Sequence, residues 1–194
     1  WDSDENAFAH QNFMENGNMS VSIISWKTAF AKIYKKTYDT ETFDNLQAYT
    51  QTVSQILGGA HPNSVLEGDG YYSGYDTTQQ QVVVGAFLTA YTGKNPDGKN
   101  INPFESVPLP NWRVTYDGLG KIKALKKVIQ RLAITHAYRS NMTIANYTTN
   151  LEYGEDANGN ATEFDLGGNY LNDKQFTTVT ITEQLSPLIG FDAT

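Results

Sequence analysis

Apolar and polar side chains alternate along four short segments in the second half of the chain, and this two-residue period predicts antiparallel strands. The four segments are residues 111–116, 131–139, 142–153 and 175–185. The second and third segments are expected to pair as a hairpin with its turn at Ser140-Asn141. A further strand is predicted over Met19–Phe30, where β-branched residues are enriched. The sequence therefore predicts a mainly β chain whose strand-rich part spans residues 111–191.

The first half contains two helical patterns, which define a predicted helical insert at residues 42–93. Apolar residues recur at helical spacing over Thr42–Gly58, whose first residue is the expected N-cap, and Gly58-Gly59 is the expected stop. A second helix is predicted over Gln79–Tyr91, ended by the Thr-Gly pair that follows. A lysine-rich amphipathic run at Lys121–Ile129 predicts a third, two-turn helix. We therefore expect two or three short helices in the inserts that connect the strands.

The composition is low in both apolar and charged residues, which limits the classes of fold. Hydrophobic residues make up 39% of the chain and charged residues 18%, both below the usual range. The chain is instead rich in Thr, Asn, Gln, Ser and Gly, and it contains 12 Tyr, 9 Phe and 3 Trp. An outer-membrane β-barrel with a polar lumen and aromatic girdles has such a composition, and so does a soluble Thr- and Asn-rich β-sandwich. Composition alone leaves both folds open.

Charge and cysteine content exclude two classes of partner. The net charge of −7 argues against nucleic acid, because binding to phosphates needs a basic surface. The chain has no cysteine, which excludes disulfides and thiolate metal sites.

The sequence contains no complete motif for binding a metal or a cofactor. The three histidines, His10, His61 and His136, lie far apart and form no metal-spaced pair. The run Asp156–Asn160 resembles a calcium loop, but Ala161 occupies the sixth position, where an EF-hand needs Gly. A flexible hairpin loop is the favoured interpretation. We expect no metal, no cofactor and no catalytic residue.

Two weaker hypotheses rest on carboxylates and aromatic residues. Asp117, Glu152 and Glu183 would suit a glycosidase if the fold brought two of them together, although their spacing does not predict it. Tryptophans such as Trp26 and Trp112 could stack on sugars, which keeps a soluble cell-envelope glycan-binding module as the alternative function. We expect that the chain is not an enzyme.

Four strings of residues resemble one known family, the SprA (Sov) proteins of Bacteroidetes. They are PLPNWRVTYDGL at residues 108–119, AFLTAYTG at 86–93, HAYRS at 136–140 and EQLSPLIG at 183–190. The strings occur in the family's order, and the resemblance extends from about Ser25 to the end. Thr89 and Leu185 depart from the family pattern, which has Ala and Phe at these positions.

The motif residues are expected to pack strands and anchor loops rather than to catalyse a reaction. They are Pro110, Asn111, Trp112, Arg113, Tyr116, Asp117, Gly118, Tyr138, Arg139, Ser140, Glu183, Gln184, Ser186 and Pro187.

The resemblance implies a fold and a function. Members of the family are giant outer-membrane proteins of gliding motility, and they form the translocon of the type IX secretion system. Residues 1–194 would be a single segment of that large antiparallel β-barrel, and the ends of the chain also lead us to expect a section of a longer protein. The implied partners are other segments of the same barrel, a PorV-like shuttle protein, a plug protein, secreted cargo and outer-membrane lipid, with no nucleic acid. The implied location is the outer membrane.

Overall fold

The computed structural model describes residues 14–35, 39–122 and 132–193, which form antiparallel strands and two α-helices. The strands are β1 (Asn16–Ser22), β2 (Ile33–Tyr34), β3 (Asp39–Thr40), β4 (Trp112–Tyr116), β5 (Leu132–Thr149), β6 (Lys174–Gln175), β7 (Thr178–Leu185) and β8 (Gly190–Ala193). The helices are α1 (Glu41–Ala60) and α2 (Gln80–Thr92), with short 3-10 helices at Pro103–Glu105 and Gly118–Lys121. The prediction of a mainly β fold with short helices is confirmed.

The 18-residue strand β5 is the centre of the main sheet, and five shorter strands pair with it antiparallel. β1 and β4 lie end to end along one edge of β5, because they pair with residues 141–148 and 134–138 respectively. β6, β7 and β8 follow one another along the opposite edge. The described strands thus form an open sheet that is three strands wide and does not close on itself.

The predicted hairpin at Ser140-Asn141 is wrong, because β5 runs through both residues without a turn. Ser140 is fully buried on one face of the strand, and Asn141 pairs with Thr182 on the other face. Adjacent Ser and Asn residues favour turns because they hydrogen-bond to nearby backbone. Here the Ser140 side chain and backbone N–H bond to distant segments instead.

The other predicted strands agree with the structure except at their ends, and the strand predicted over residues 142–153 ends at Thr149. The segments at residues 111–116 and 175–185 contain β4 and β7. The strand expected over Met19–Phe30 ends at Ser22, since the chain turns at residues 26–30.

Both predicted helices are confirmed, but the start of α1 differs from the prediction. Thr40 is the N-cap, because the N–H of Phe43 donates to its Oγ1 at 3.1 Å. Thr42, the expected cap, lies buried inside the first turn. The third predicted helix, Lys121–Ile129, falls mostly on residues 123–131, which lie outside the described residues. Within the described part of the chain, neither helix is both long and apolar enough to cross a membrane.

The ends of the two helices differ in the role of glycine. Gly93 ends α2 in the left-handed conformation with φ of 65°, as the sequence predicts. The Gly58-Gly59 pair does not stop α1, which continues to Ala60. A Cβ added at Gly58 would lie 2.1 Å from the Cβ of Tyr72, so glycine allows that tyrosine to pack directly on the helix.

The helices cover only one half of the sheet. Val84 and Leu88 of α2 pack on Met142 of β5 and on Val21 and Ile23. α1 packs on another face of α2, where Val53 and Ala86 meet Ile101. We call the part of the sheet around Met142 and Ile144 the covered half.

The other half of the same sheet face carries exposed apolar side chains. β4 pairs Val114 with His136 and Tyr116 with Ile134, and β8 pairs Phe191 with Ile134. Val114, Tyr116 and Phe191 are 55%, 57% and 71% exposed. We call this part, Leu132–Tyr138 of β5 with β4 and β8, the bare half. Its apolar band consists of Trp112, Val114, Tyr116, Ile134 and Phe191.

The opposite face of the sheet carries short hydroxyl and amide side chains. Cross-strand pairs align Thr143 with Ser20 and Thr180, and Thr135 with Thr115. We call this surface the hydroxyl face, which consists of Ser20, Ser22, Thr115, Thr135, Asn141, Thr143, Thr180 and Thr182. Along β5, Thr135, Asn141 and Thr143 lie on this side, whereas Ile134 and Met142 lie on the other, because successive strand residues alternate in direction.

Candidate functional site

Three of the four family-like strings meet at the middle of β5. Tyr138 pairs with Trp112 of β4 on one edge and with Leu185 of β7 on the other. Ser140 pairs with Glu183, again across β7. The fourth string, at residues 86–93, lies in the last two turns of α2 and the residue that ends it.

We call the cluster of Ser25, Trp112, Tyr138, Ser140 and Glu183 the motif junction. Its centre is the hydroxyl of Tyr138, a residue that is 1% exposed. That hydroxyl donates to Oε1 of Glu183 at 2.6 Å and accepts the backbone N–H of Ser25 at 2.8 Å. A short bond to a carboxylate is among the stronger hydrogen bonds in proteins. It ties β5 to β7 and to the segment that follows β1.

The serine hydroxyls complete the same network. Ser25 Oγ donates to Glu183 Oε1 at 2.9 Å and lies 2.9 Å from Ser140 Oγ. Ser25 and Ser140 are 3% and 0% exposed. Buried hydroxyls without partners would cost free energy, so this mutual bonding explains why polar residues occupy positions inside the sheet.

At the junction the side chain of Asn111 takes the place of a backbone hydrogen-bond partner of β5. Its Oδ1 accepts the backbone N–H of Ser140 at 2.8 Å, and Asn111 itself immediately precedes β4. Ile23 donates its N–H to the carbonyl of Ser140 at 3.2 Å. These two bonds fill the gap on β5 between the end of β1 and the start of β4. Pro110, which precedes Asn111, is exposed.

Aromatic rings cover one side of the junction. The Trp112 ring stacks on Tyr138 with centroids 4.4 Å apart and an interplanar angle of 26°. Trp26 meets Tyr138 and His136 edge-on, at 5.7 Å in both cases. Nδ1 of His136 donates to the carbonyl of Leu188 at 2.6 Å, since a carbonyl can only accept. The rings therefore lie where the covered half meets the bare half.

The Ser186-Pro187 pair lies where the chain bends between β7 and β8, and its peptide bond is cis. Ala137 remains bonded to both residues of the bend: its N–H donates to the Pro187 carbonyl and its carbonyl accepts from Ser186, each at 3.1 Å. A Cβ at Gly190 would lie 2.8 Å from the Pro187 ring, so glycine lets β8 start close to the bend.

The remaining motif residues lie outside the junction. Arg113 and Asp117 are exposed, on β4 and just after it. Tyr116 covers Gly118, where a Cβ would lie 2.4 Å from the tyrosine hydroxyl. The two remaining motif residues, Arg139 and Gln184, form an exposed cross-strand pair on the polar side of the sheet.

The three carboxylates considered for a glycosidase pair do not converge. Glu183 lies at the junction, whereas Asp117 follows the pair of Tyr116 with Ile134, about six residues along β5. At about 3.4 Å per strand residue, this separates them by roughly 20 Å. Glu152 lies beyond the opposite end of β5. The separation overturns the carboxylate-pair hypothesis, since such pairs work at about 5–10 Å.

The two described histidines serve structural contacts, while His10 lies outside the described residues. His61 is buried; its Nε2 donates to the carbonyl of Ala161 at 2.9 Å and its Nδ1 accepts the N–H of Asn63 at 3.3 Å. Within residues 14–35, 39–122 and 132–193, no three His, Asp or Glu side chains converge on a point that could hold a metal ion.

The loop at Asp156 is a hairpin loop organised by its own carboxylate. Asp156 Oδ1 accepts the backbone N–H groups of Asn158 and Asn160 at 2.8 and 2.9 Å, and Glu155 bridges to Ala161. The Asn160 side chain also donates to this carboxyl group, and its bonds hold the pKa of Asp156 below its usual value. Asp165 repeats the arrangement with Gly167 and Asn169.

Sequence reasoning did not assign a role to Ser25. A signal was present, because Ser25 shares the alternating face of the predicted first strand with Val21 and Ile23. A polar residue at a core position needs a hydrogen-bond partner. The partner itself is 158 residues away in Glu183 and could not be identified from the sequence.

Comparison of the chain with protein-family models and with curated protein sequences gives no match.

Proposed function

We propose that this chain is a segment of the outer-membrane translocon of a type IX secretion system, and that it supports protein export and gliding motility. The observation that carries the proposal is the contrast between the two faces of the bare half. Along Leu132–Tyr138 one face is apolar and exposed, while the other presents the Thr115–Thr135 pair together with the exposed charges of Arg113 and Asp192. In an outer-membrane barrel, strands alternate between lipid-facing apolar and lumen-facing polar residues.

The size of the bare half supports a lipid-facing role. Leu132–Tyr138 has seven residues, which extend about 24 Å at about 3.4 Å per residue. Barrel strands are tilted and need about 9–11 residues to cross the apolar band, which is about 25 Å tall, so these seven residues would form most of one crossing. The exposed residues Val114, Tyr116 and Phe191 would contact the acyl chains. The helices cover only the other half of β5, so they would lie outside the hydrocarbon layer.

Aromatic residues at the edge of the apolar band support the same placement. Trp26, Trp112 and Tyr138 cluster where the bare half ends. Trp and Tyr are enriched at membrane interfaces because their rings are apolar and their N–H or O–H groups are polar. We infer that this cluster lies at the level of the lipid headgroups.

The open edges of the sheet support a segment of a larger assembly. Among the described strands, β1, β4, β7 and β8 pair only with β5, so none has a second strand along its outer edge, although Leu109 donates its N–H to the carbonyl of Ser22 at the end of β1. Exposed strand edges template pairing with further strands. In our proposal neighbouring segments of the same barrel pair there.

The hydroxyl face would line the lumen and contact secreted cargo. Most side chains on this side of the sheet are short and polar, and Arg113, Arg139 and Asp192 add isolated charges, so the surface would interact weakly with proteins of differing sequence. The shuttle and plug proteins implied by the family resemblance would act at the ends of the lumen. No cofactor and no chemical step belong to this function.

A soluble glycan-binding module remains the alternative, but the geometry of its aromatic residues favours it less. One face of Trp112 is covered by Tyr138. Trp26 is partly exposed beside Phe30, with ring centroids 6.1 Å apart in an edge-on arrangement. Edge-on rings do not form a flat platform for a sugar.

The translocon proposal is tested by photo-crosslinking in Bacteroidetes cells that carry the full-length protein. A benzophenone amino acid replaces Thr143 on the hydroxyl face or, as the matched control, Val114 on the apolar band. We expect cargo-dependent crosslinks from position 143 and none from position 114. Export of type IX cargo to the medium is measured in the same cells.

Crosslinks to cargo from both positions, or from neither, would contradict the lumenal assignment of the hydroxyl face. A protein recovered entirely in the soluble fraction would contradict the outer-membrane location and favour the module.

A further inference from the structure

A cavity of about 390 Å³ lies beside the start of α2, away from the motif junction. Its walls come from the first turn of α2, from the end of β5 and from residues 165–177. The volume falls in the range of sites for small molecules, about 300–1,000 Å³. The side chains that line it are mostly amides and hydroxyls, and none is Lys or Arg.

Two glutamines fix the wall between α2 and the following loop. Gln79 Nε2 donates to Oδ1 of Asn172 at 2.9 Å, and its Oε1 accepts the N–H of Val82 at 3.0 Å. Gln80 Nε2 donates to the carbonyl of Lys174 at 2.8 Å, and its Oε1 accepts the N–H of Phe176 at 3.2 Å. Each amide therefore bonds through both its nitrogen and its oxygen. A wall held in this way is preorganised, so ligand binding would cost little ordering entropy.

A β-bulge presents Asn146 at the cavity. Tyr147 and Ile144 pair with Gly17 and Met19, so β5 has one residue more than β1 over this stretch. Asn146 has φ of 53°, the left-handed region that a non-glycine residue rarely adopts. Bulges redirect side chains and are frequent beside binding sites. The side chain of Asn146 is exposed and bonds to no other described residue.

Further polar groups of the lining lack partners among the described residues. Among the described residues, Nδ2 of Asn172 and the side-chain amide of Gln175 have no hydrogen-bond partner. Asp165 accepts two backbone N–H groups through Oδ1, while its Oδ2 has no partner among these residues. These groups supply donors and acceptors together. The half-buried Phe176 adds aromatic surface, whereas the ring of Tyr170 is packed against His61 and Phe164 and is 5% exposed.

We propose that this cavity binds a neutral saccharide of one or two sugar units. Sugar hydroxyls both donate and accept, which matches amides and a single carboxylate, and the C–H face of a sugar packs on aromatic rings. The absence of Lys and Arg from the lining argues against phosphorylated or acidic ligands. The proposal does not depend on the secretion function, because this cavity shares no residue with the junction, the apolar band or the hydroxyl face.

The test measures binding of maltose, mannobiose and chitobiose to the full chain by isothermal titration calorimetry and saturation-transfer NMR. The buffer contains a zwitterionic detergent without a sugar headgroup, so that the detergent does not compete. We expect saturable binding of at least one disaccharide. Asn146→Gly and Gln175→Ala should each weaken it by about two- to tenfold, the effect of one hydrogen bond.

Both variants have matched controls. Asn146→Gly removes the amide but keeps a residue that adopts positive φ easily, so the bulge should persist. Gln184→Ala removes an exposed glutamine from β7 on the hydroxyl-face side and should leave affinity unchanged. Circular dichroism melting checks that each variant remains folded.

Three outcomes would overturn the proposal. They are the lack of binding of any disaccharide, equal loss of affinity in Gln175→Ala and Gln184→Ala, and saturable binding of trialanine in the absence of sugar binding. Failure of these tests would leave the crosslinking result at Thr143 unaffected, so the two proposals can be separated.

Discussion

The covered half and the bare half share the continuous strand β5, yet their apolar side chains differ in solvent exposure. In the covered half, Met142 and Ile144 are 0% exposed beneath α2. In the bare half, the equivalent face leaves Val114 and Phe191 more than half exposed. Both halves have large apolar side chains on this face, namely Leu132 and Ile134 in one and Met142 and Ile144 in the other. Alternation therefore defines the faces of the sheet, whereas it does not say what covers each face.

The boundary between the halves is the most highly bonded part of the sheet. Tyr138, Ser25 and Ser140 all direct hydroxyl groups to one another or to Glu183. A buried network of this kind is stabilising only when every member is satisfied. We infer that the junction fixes the register at which the helical layer ends.

The largest expected difference between the halves is in the free energy of unfolding. Met142→Ala removes a fully buried side chain and should destabilise the protein by about 2–5 kcal/mol. Val114→Ala removes a mostly exposed one and should cost less than about 1 kcal/mol. Urea titration followed by tryptophan fluorescence measures both, and equal losses would show that the bare half is packed in solution.

Alkaline pH should weaken the helical layer specifically. Burial, with Tyr170 and Tyr153 nearby, raises the pKa of Tyr75 to about 12, against about 10 in the unfolded chain. The folded state therefore favours the neutral phenol. Its contribution to stability is complete below pH 10 and is lost as the pH rises from about 10 through 12, by about 2–3 kcal/mol.

The pH effect is measured as the free energy of unfolding between pH 9 and 12. The Tyr75→Phe variant, which cannot ionise, should show a smaller decline than the wild type by that amount. Parallel declines in the two proteins would contradict the assignment to Tyr75.

The junction can be weakened without touching either half. Glu183→Ala leaves the hydroxyl groups of Tyr138 and Ser25 without their acceptor and should cost about 1–3 kcal/mol. Gln184→Ala, at the neighbouring exposed position, should change the unfolding free energy by less than about 0.5 kcal/mol. Urea titration of the pair tests this, and similar small effects would mean that the network does not stabilise the boundary.

The smallest predicted effect concerns the support that α1 gives to the covered half. Thr40→Ala removes the N-cap of α1 and should reduce thermal stability by about 1 kcal/mol, while Thr40→Ser keeps the capping oxygen and should retain most of it. Differential scanning calorimetry distinguishes them. If Ser and Ala were equivalent at position 40, the cap would not contribute.

The elements that the sequence predicts correctly are those with a clear period. β4 and β7 alternate over their whole length, and α1 and α2 have apolar stripes. The error at Ser140-Asn141 arose because local propensity favours a turn there, while the partners that stabilise an extended backbone are Ser25 and Asn111, more than twenty-five residues away. Thr40 and Thr42 are equally good caps by type, and only the hydrogen bond to Phe43 distinguishes them.

Only part of the motif junction could be predicted from the sequence. The strings identified Trp112, Tyr138 and Glu183 as a set, but nothing in their spacing indicated that they touch. Arg139 and Gln184 belong to the same strings and yet lie on the opposite face, because neighbouring strand residues alternate in direction. The saccharide cavity depends on the bulge at Asn146, for which the sequence offers no turn-type signal.

The most direct test of the central claim uses one pair of adjacent residues on β4. Residues 1–194 contain no cysteine, so in a full-length protein whose cysteines elsewhere are replaced by serine, Val114→Cys and Thr115→Cys each provide a single site for an environment-sensitive fluorophore in outer-membrane vesicles. We predict that nitroxide-labelled lipid quenches the label at position 114 and that aqueous iodide quenches the label at position 115. Quenching of both labels by iodide alone would show that the bare half faces water, and the lipid-facing assignment would then be wrong.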